Sequence, residues 1–319
     1  MGIFSYAPAA FTDKTLPDQS RKVFIVTGAT SGVGEILADI LYSKNGKVYI
    51  AARSAEKAQQ TIQSIKSKHP TSRGDLIFLR LDLNDLSTIK SSAEAFLKIE
   101  DRLHVLWNNA GVMVPPQGSQ TKQGYEQQLG TNDLAPFLFT KLLVPVLKAT
   151  ALAEPVGSVR VVWVASSAAA NFAPRGGVVM SNLSYEKDQG AWHKYGVSKA
   201  GNILQAAEFA RRFGSDNILS VSLDPGNLKT PLYQNAPRWQ MPFINLVLKD
   251  PVYGAYTELF AGLSPDVQMR DNGRFIKPFG KLGETRSDIE VSRKPKSEGG
   301  NGIAEEFYDW VEKQVAPFE

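Results

Sequence analysis

Short apolar runs alternate along this chain with longer stretches in which apolar residues recur at helical spacing. The runs fall at 22–27, 47–52, 76–81, 104–108, 159–165 and 218–223, with a seventh at 273–277. Val23-Phe24-Ile25-Val26 is continuously apolar, as a parallel strand buried on both faces requires. Residues 33–44, 55–67, 86–98, 122–149, 194–213 and 252–263 read as helices. Strands alternating with helices argue for a parallel sheet with helices on both faces. Right-handed crossovers then place a ligand at the carboxyl edge of the strands. The predicted fold is α/β, a single domain on a doubly wound, mostly parallel, seven-stranded sheet.

The tail reads differently. Residues 281–302 are polar, charged and glycine-rich, and predict a surface loop. Ile303, Phe307, Val311 and Val315 recur every four positions, so 303–315 predicts a helix packed on the domain, with Glu305 and Glu306 suited to its start. The expected division is an N-terminal extension over 1–20, a catalytic domain over 21–280 and a C-terminal extension over 281–319.

The first strand runs into Thr27-Gly28-Ala29-Thr30-Ser31-Gly32-Val33-Gly34, and a helix follows. Strand, glycine-rich turn and helix form the context of a dinucleotide site. Gly28 permits the tight turn, Gly32 lets backbone approach a pyrophosphate, and Gly34 lets helix and strand pack closely. The helix start offers amide N–H groups and a partial positive charge to phosphate. Three residues separate the first two glycines, a departure from the commoner G-x-G-x-x-G.

Downstream lies Tyr195-Gly196-Val197-Ser198-Lys199. Helix positions four apart are axial neighbours, so Lys199 holds its ammonium near the phenol of Tyr195. A cation about 5 Å away, at an effective dielectric near 20, contributes roughly 3 kcal/mol. That lowers a phenol pKa by about two units from its usual value of about 10. The pair by itself is also what many solvated helix faces carry, and gains meaning from the glycine turn upstream.

The glycine turn, then Asn108-Asn109-Ala110-Gly111, then Y-x-x-x-K, in that order over roughly residues 20–280, resemble the short-chain dehydrogenase/reductase family. Ala52-Arg53-Ser54, Gly130-Thr131-Asn132 and the long insert before Tyr195 resemble its retinol-dehydrogenase-like and WW-domain-oxidoreductase-like branch, fungal reductases included. The resemblance implies a Rossmann fold with the glycine turn, from Gly28 through Thr30, Ser31, Gly32 and Val33 to Gly34, on the cofactor. It also implies that Asn109, Ala110 and Gly111 run past the cofactor. Asp82 matches the residue near the adenine amino group, with Leu83 beside it, although a helix cap competes for Asp82. Pro225, Gly226, Leu228 and Thr230 match the stretch closing over the nicotinamide amide.

Family members that prefer NAD carry an acidic side chain at the second strand's end. Ala52 stands there, and Arg53 follows with a planar fork suited to a 2′-phosphate. The implied cofactor is NADP(H). Lys57 reads better as solvated surface. Of Ser166-Ser167, the second matches the catalytic serine and the first is the fallback; its hydroxyl would bond the substrate oxygen. Asn132 matches the asparagine that extends a proton relay from Lys199. The implied reaction interconverts a carbonyl and an alcohol, with Tyr195 as acid or base and with Tyr195 and Lys199 both at the cofactor. A non-redox role on the same fold, and reduction of a carbon–carbon double bond, remain as alternatives.

Tyr233, Trp239, Met241, Pro242, Phe243, Ile244, Leu246 and Val247 match the family's substrate lid, and Phe172, Val178, Val179, Met180 and Trp192 fall in the insert. That density of apolar side chains suggests a bulky apolar or aromatic small-molecule substrate. A buried segment or an oligomer contact would carry the same residues. Members of this family associate through the fifth and sixth helices, so a homo-oligomer is compatible with the sequence.

Composition narrows the chemistry by what it lacks. The chain has no cysteine, which excludes disulfides, thiolate zinc sites and cysteine nucleophiles. His69, His104 and His193 lie far apart without ligand spacing, so no metal is expected. The 36 basic and 32 acidic residues leave +4, scattered, which argues against nucleic acid. No basic start precedes an apolar run and no apolar stretch reads as a membrane span, so a cytoplasmic location is expected.

Overall fold

The computed structural model describes residues 9, 11–230 and 248–319. The apolar runs become strands β1 (Val23–Thr27), β2 (Lys47–Ala52), β3 (Asp75–Arg80), β4 (Val105–Asn108), β5 (Val159–Val164), β6 (Ile218–Leu223) and β7 (Phe275–Lys277). The sheet order is β3-β2-β1-β4-β5-β6-β7-β8, and β1 to β7 pair parallel. β1 pairs with both β2 and β4, so the strand order reverses there, and open α/β sheets bind ligands at the carboxyl ends of strands at such a point.

An eighth strand, β8 (Lys281–Gly283), corrects the expected count of seven. It pairs antiparallel with β7 through a turn in which Phe279 and Gly280 both take left-handed backbone, φ 70° and 80°. Lys-Leu-Gly has no apolar run to announce it.

Helices cover both faces. α1 (Gly32–Ser43), α2 (Ala55–Lys68) and α8 (Val252–Leu263) share one core with Phe24, Val26, Trp107, Val162 and Val164. On the other face lie α3 (Ile89–Leu97), α4 (Gln127–Leu129), α5 (Ala135–Ala153), α6 (Ala168–Phe172) and α7 (Ala191–Phe213). Of these, α3, α5 and α7 enclose Val159, Val161 and Trp163. β5 thus alternates its side chains between two cores, which explains the continuous apolar run Val161–Val164, while buried Arg160 donates to the Ala261, Ser264 and Val267 carbonyls.

The helix expected at 122–149 starts at Gln127 and runs through Ala153. Glu126 caps it, accepting from the amides of Gln128 and Leu129. Between α4 and α5 it widens into a π turn, Gly130–Leu134, with every residue buried. Gln127–Ala153 is long and apolar enough to cross a membrane, but its apolar face is spent on the core.

The expected loop over 281–302 holds β8 and a short helix, α9 (Ser287–Ser292). α10 (Ile303–Val315) has the expected bounds and buries Phe307, Val311 and Val315 in the same core as α5 and α7. Tyr308 meets Phe137 edge-on, with ring centres 4.7 Å apart, and carries the Arg212 guanidinium 4.1 Å above its ring. Part of the surface of α5 and α7 is therefore covered from within the chain.

Candidate active site

The glycine turn leaves β1 with Gly28 at φ 70°. A Cβ on Gly34 would stand 2.5 Å from Asn109 Nδ2, so only glycine lets α1 come this close to the β4 exit. Asn109 Nδ2 donates to the Thr27 carbonyl at 2.7 Å, and Ala110 N donates to Thr27 Oγ1 at 2.9 Å. Asn109 and Ala110 thus lock the ends of β1 and β4 together. Ser31 stands extended at the head of α1 and makes no side-chain cap bond, which leaves the first-turn amides of Gly32, Val33 and Gly34 for an anion.

Arg53 is exposed at the carboxyl end of β2 beside buried Ala52, while Ser54 takes the cap of α2 by accepting from Lys57 N at 3.2 Å. β3 places exposed Arg80 in register with Ala52, a second guanidinium at this edge that a strand-by-strand reading missed. Asp82 accepts from Asn84 N at 3.0 Å, and the capping role belongs to Asp85. The Ser87 hydroxyl, then Gln123, hold the Asp85 carboxyl well below the usual range. Leu83, expected beside Asp82 at the cofactor, is buried in the core next to it.

Tyr195 and Lys199 lie on α7, each 4% exposed. Lys199 Nζ stands 5.8 Å from the Tyr195 ring centre and donates to the Val164 carbonyl at 2.8 Å. Burial pulls its pKa down to about 8, and Asp133, Asp224 and Glu258 oppose that shift to the extent that they are ionised. A Cβ on Gly196 would lie 2.5 Å from Ala173 N, so the residue after Tyr195 is glycine because α6 packs directly on that turn.

Asn132 sits in the π turn, 1% exposed. Its Nδ2 donates to the Val112 carbonyl and to Ser198 Oγ, both at 3.0 Å, and its Oδ1 accepts from Val112 N at 2.8 Å. A Cβ on Gly111 would lie 3.1 Å from Asn132 Oδ1 and 3.4 Å from Lys199 Nζ, so these three residues meet at one point. The strand-end serines divide their work. Ser166 Oγ accepts from Ala168 N at 3.1 Å, which is the ordinary turn role, while Ser167 makes no side-chain cap bond.

Three acids escaped the sequence reading. Asp224 accepts from Gly226 N at 2.9 Å and from the Ser167 amide, tying the serine to the Pro225-Gly226 turn, and burial raises its pKa. Asp133 and Glu258 are fully buried with no hydrogen-bond partner for either carboxyl among the described residues. Burial pushes Glu258 up to about 8 and Asp133 well above the carboxylate range. An acid's neutrality depends on what packs around it, which no local spacing reveals.

Leu228 is buried and pairs with Lys249, and Thr230 is half-buried where the described chain breaks off. The expected lid residues, Tyr233 to Val247, lie outside the described residues. Met113 and Ala168 are buried against Tyr195, with Val114 and Trp192 packed on them. No group of acidic or histidine side chains suited to a metal is present among the described residues.

A family model described as short chain dehydrogenase matches residues 22–179. A short-chain dehydrogenase/reductase of Phomopsis amygdali is 52% identical over 99% of this chain and 96% of its own length. The chain belongs to the short-chain dehydrogenase/reductase family. Short-chain dehydrogenase/reductase pkfC of Emericella nidulans is 48% identical over 99% of each chain. Among solved structures, an NADPH-bound carbonyl reductase from chicken fatty liver superposes with a TM-score of 0.62 at 23% identity, covering 83% of this chain and 99% of that one, which shows the shared fold. Membership makes this protein a nucleotide-binding oxidoreductase of the NAD(P) type. The glycine cradle, the open head of α1 and the exposed guanidinium of Arg53 suit such a cofactor's pyrophosphate and ribose end.

Proposed function

We propose that this protein is an NADP(H)-dependent oxidoreductase that interconverts a carbonyl and an alcohol on a bulky apolar substrate. The observation that carries the reading is the convergence of Lys199 and Asn132 at Gly111, with the Tyr195 ring 5.8 Å from Lys199 Nζ and Ser167 just past the neighbouring strand. Arg53 would hold the 2′-phosphate, the first amides of α1 the pyrophosphate, and Lys199 the nicotinamide ribose.

A bound reduced nicotinamide supplies hydride to the carbonyl carbon. The Tyr195 phenol gives its proton to the oxygen as charge builds there, and the Ser167 hydroxyl donates a hydrogen bond to the same oxygen. Lys199, as ammonium, stabilises the phenolate left behind, and Asn132 fixes the segment that faces it. In the alcohol direction the phenolate takes the proton back. Met113, Val114, Ala168 and Trp192 surround the phenol with apolar surface, which supports a bulky apolar substrate.

The test is NADPH and NADH consumption across bulky ketones, aldehydes and enones. Turnover of ketones or aldehydes, faster with NADPH, is expected. Tight NADPH binding with no turnover of any of them would favour a non-redox role.

A further inference from the structure

We propose that the substrate's carbonyl is borne on a flat aromatic ring that lies against Trp192. The inference rests on the reading of Tyr195 as the proton donor, and it starts from that residue's helix. Trp192, Tyr195 and Lys199 stand three and four residues apart, so they form one stripe along α7. The Lys199 end runs inward to the Val164 carbonyl. The Trp192 end runs outward and stays half-buried.

There the indole meets the Tyr195 ring edge-on, 6.2 Å between centres at 77°, and the Phe172 ring at 5.1 Å and 37°. Phe172 is 43% exposed. Two large aromatic side chains thus stand partly open, Trp192 against the phenol ring and Phe172 against Trp192. Val114, also half-buried, packs on the same apolar cluster as Trp192.

Val114 is not there by default. Its φ is 47°, a left-handed backbone that a β-branched residue adopts only when its surroundings impose it. The imposition comes from Gln128, which is fully buried. Gln128 Oε1 accepts from Val114 N at 2.9 Å, and its Nε2 donates to the Ala191 carbonyl at 3.0 Å. Ala191 precedes Trp192. One buried amide therefore fixes the strained valine relative to the turn that carries the indole. Strain tied to a buried polar clamp marks a surface whose shape is held ready for a ligand.

The chemistry of that surface favours one ligand class. Aromatic rings gain energy beyond area burial when they meet offset-stacked or edge-on, with centres about 4.5–7 Å apart. A planar aryl group resting on Trp192 extends the ladder Phe172–Trp192–Tyr195 and brings a carbonyl on that ring to the phenol. A saturated ring of equal size fills the volume without the ring–ring gain.

The test compares binding of methyl phenyl ketone and cyclohexyl methyl ketone to the Tyr195→Phe variant saturated with NADPH, so that affinity is read without turnover. The expected preference is roughly three- to tenfold for the aryl ketone. Trp192→Leu should abolish it and Trp192→Phe should keep most of it, with NADPH affinity unchanged in both. Equal affinity for the two ketones, a preference that survives Trp192→Leu, or binding of neither ketone would overturn the inference. If the aryl preference holds but the wild-type protein consumes no NADPH, the proposed reaction fails and this site stands. If the wild-type protein reduces both ketones alike, the reaction stands and this site fails.

Discussion

Tyr195 has a neighbour on either side along its own helix face, and the fold treats the two differently. Lys199, inward, is 4% exposed, bonded to a strand-end carbonyl and surrounded by the fields of three buried carboxyls. Trp192, outward, is half-buried and meets rings. The inward end is built from strand ends and the motifs that mark the family. The outward end is built from an insert, a strained valine and a buried glutamine. On the proposed function, the first end specifies the reaction and the second specifies what is reacted on.

Removing Lys199 should break that division most visibly. Lys199→Ala is expected to lower kcat by about a hundredfold or more with every substrate and to weaken NADPH, since it removes the charge that supports proton transfer. Steady-state rates and a fluorescence titration of NADPH check this. In the wild-type protein, carbonyl reduction should slow as pH rises through about 8, where Lys199 loses its proton. A pH–rate profile still flat at pH 9 would count against the role of the ammonium.

Next in size is the cofactor edge. Arg53→Ala should raise KM for NADPH by roughly tenfold or more, the scale of a lost charge-assisted hydrogen bond, and leave KM for NADH within about twofold. Equal losses for both cofactors would point to a folding defect instead.

Smaller still is the outward end. Trp192→Leu should raise KM for an aryl ketone by about three- to tenfold with little change in kcat. A fall in kcat as large as that of Lys199→Ala would erase the distinction between the two ends.

The smallest expected effect is on stability. The folded pKa of Glu258 is raised from 4.5 to about 8, so between those values the native protein holds a proton that the unfolded chain has released. Stability from this group is therefore full at low pH and lost as pH rises toward about 8. Glu258→Gln, which keeps the shape without the charge, should be more stable than wild type at pH 8 and nearly equal to it at pH 4.5. Urea unfolding at both pH values reads the difference.

Much of this was legible in the sequence wherever a local pattern decides the structure. β1 and the Val161–Val164 stretch of β5 are apolar because both their faces are covered, and α10 keeps its four-residue spacing because one face meets α5 and α7. Tyr195 and Lys199 are one helical turn apart in any helix. What escaped depends on contacts between distant segments. β8 exists because a left-handed turn folds it back on β7. Arg80 joins the cofactor edge only through the register of β2 and β3. Glu258 and Asp133 look like surface acids until the core closes over them. The strain at Val114 appears only when Gln128 is placed beneath it.

The account rests most directly on Tyr195. Single-turnover hydride transfer should be measured in Tyr195→Phe with NADPH and a reducible ketone, alongside the Kd for NADPH. The expected result is a rate lower by about a thousandfold, with Kd within about twofold of wild type. A rate near that of the wild-type protein, with NADPH bound equally well, would contradict the assignment of Tyr195 as the proton donor.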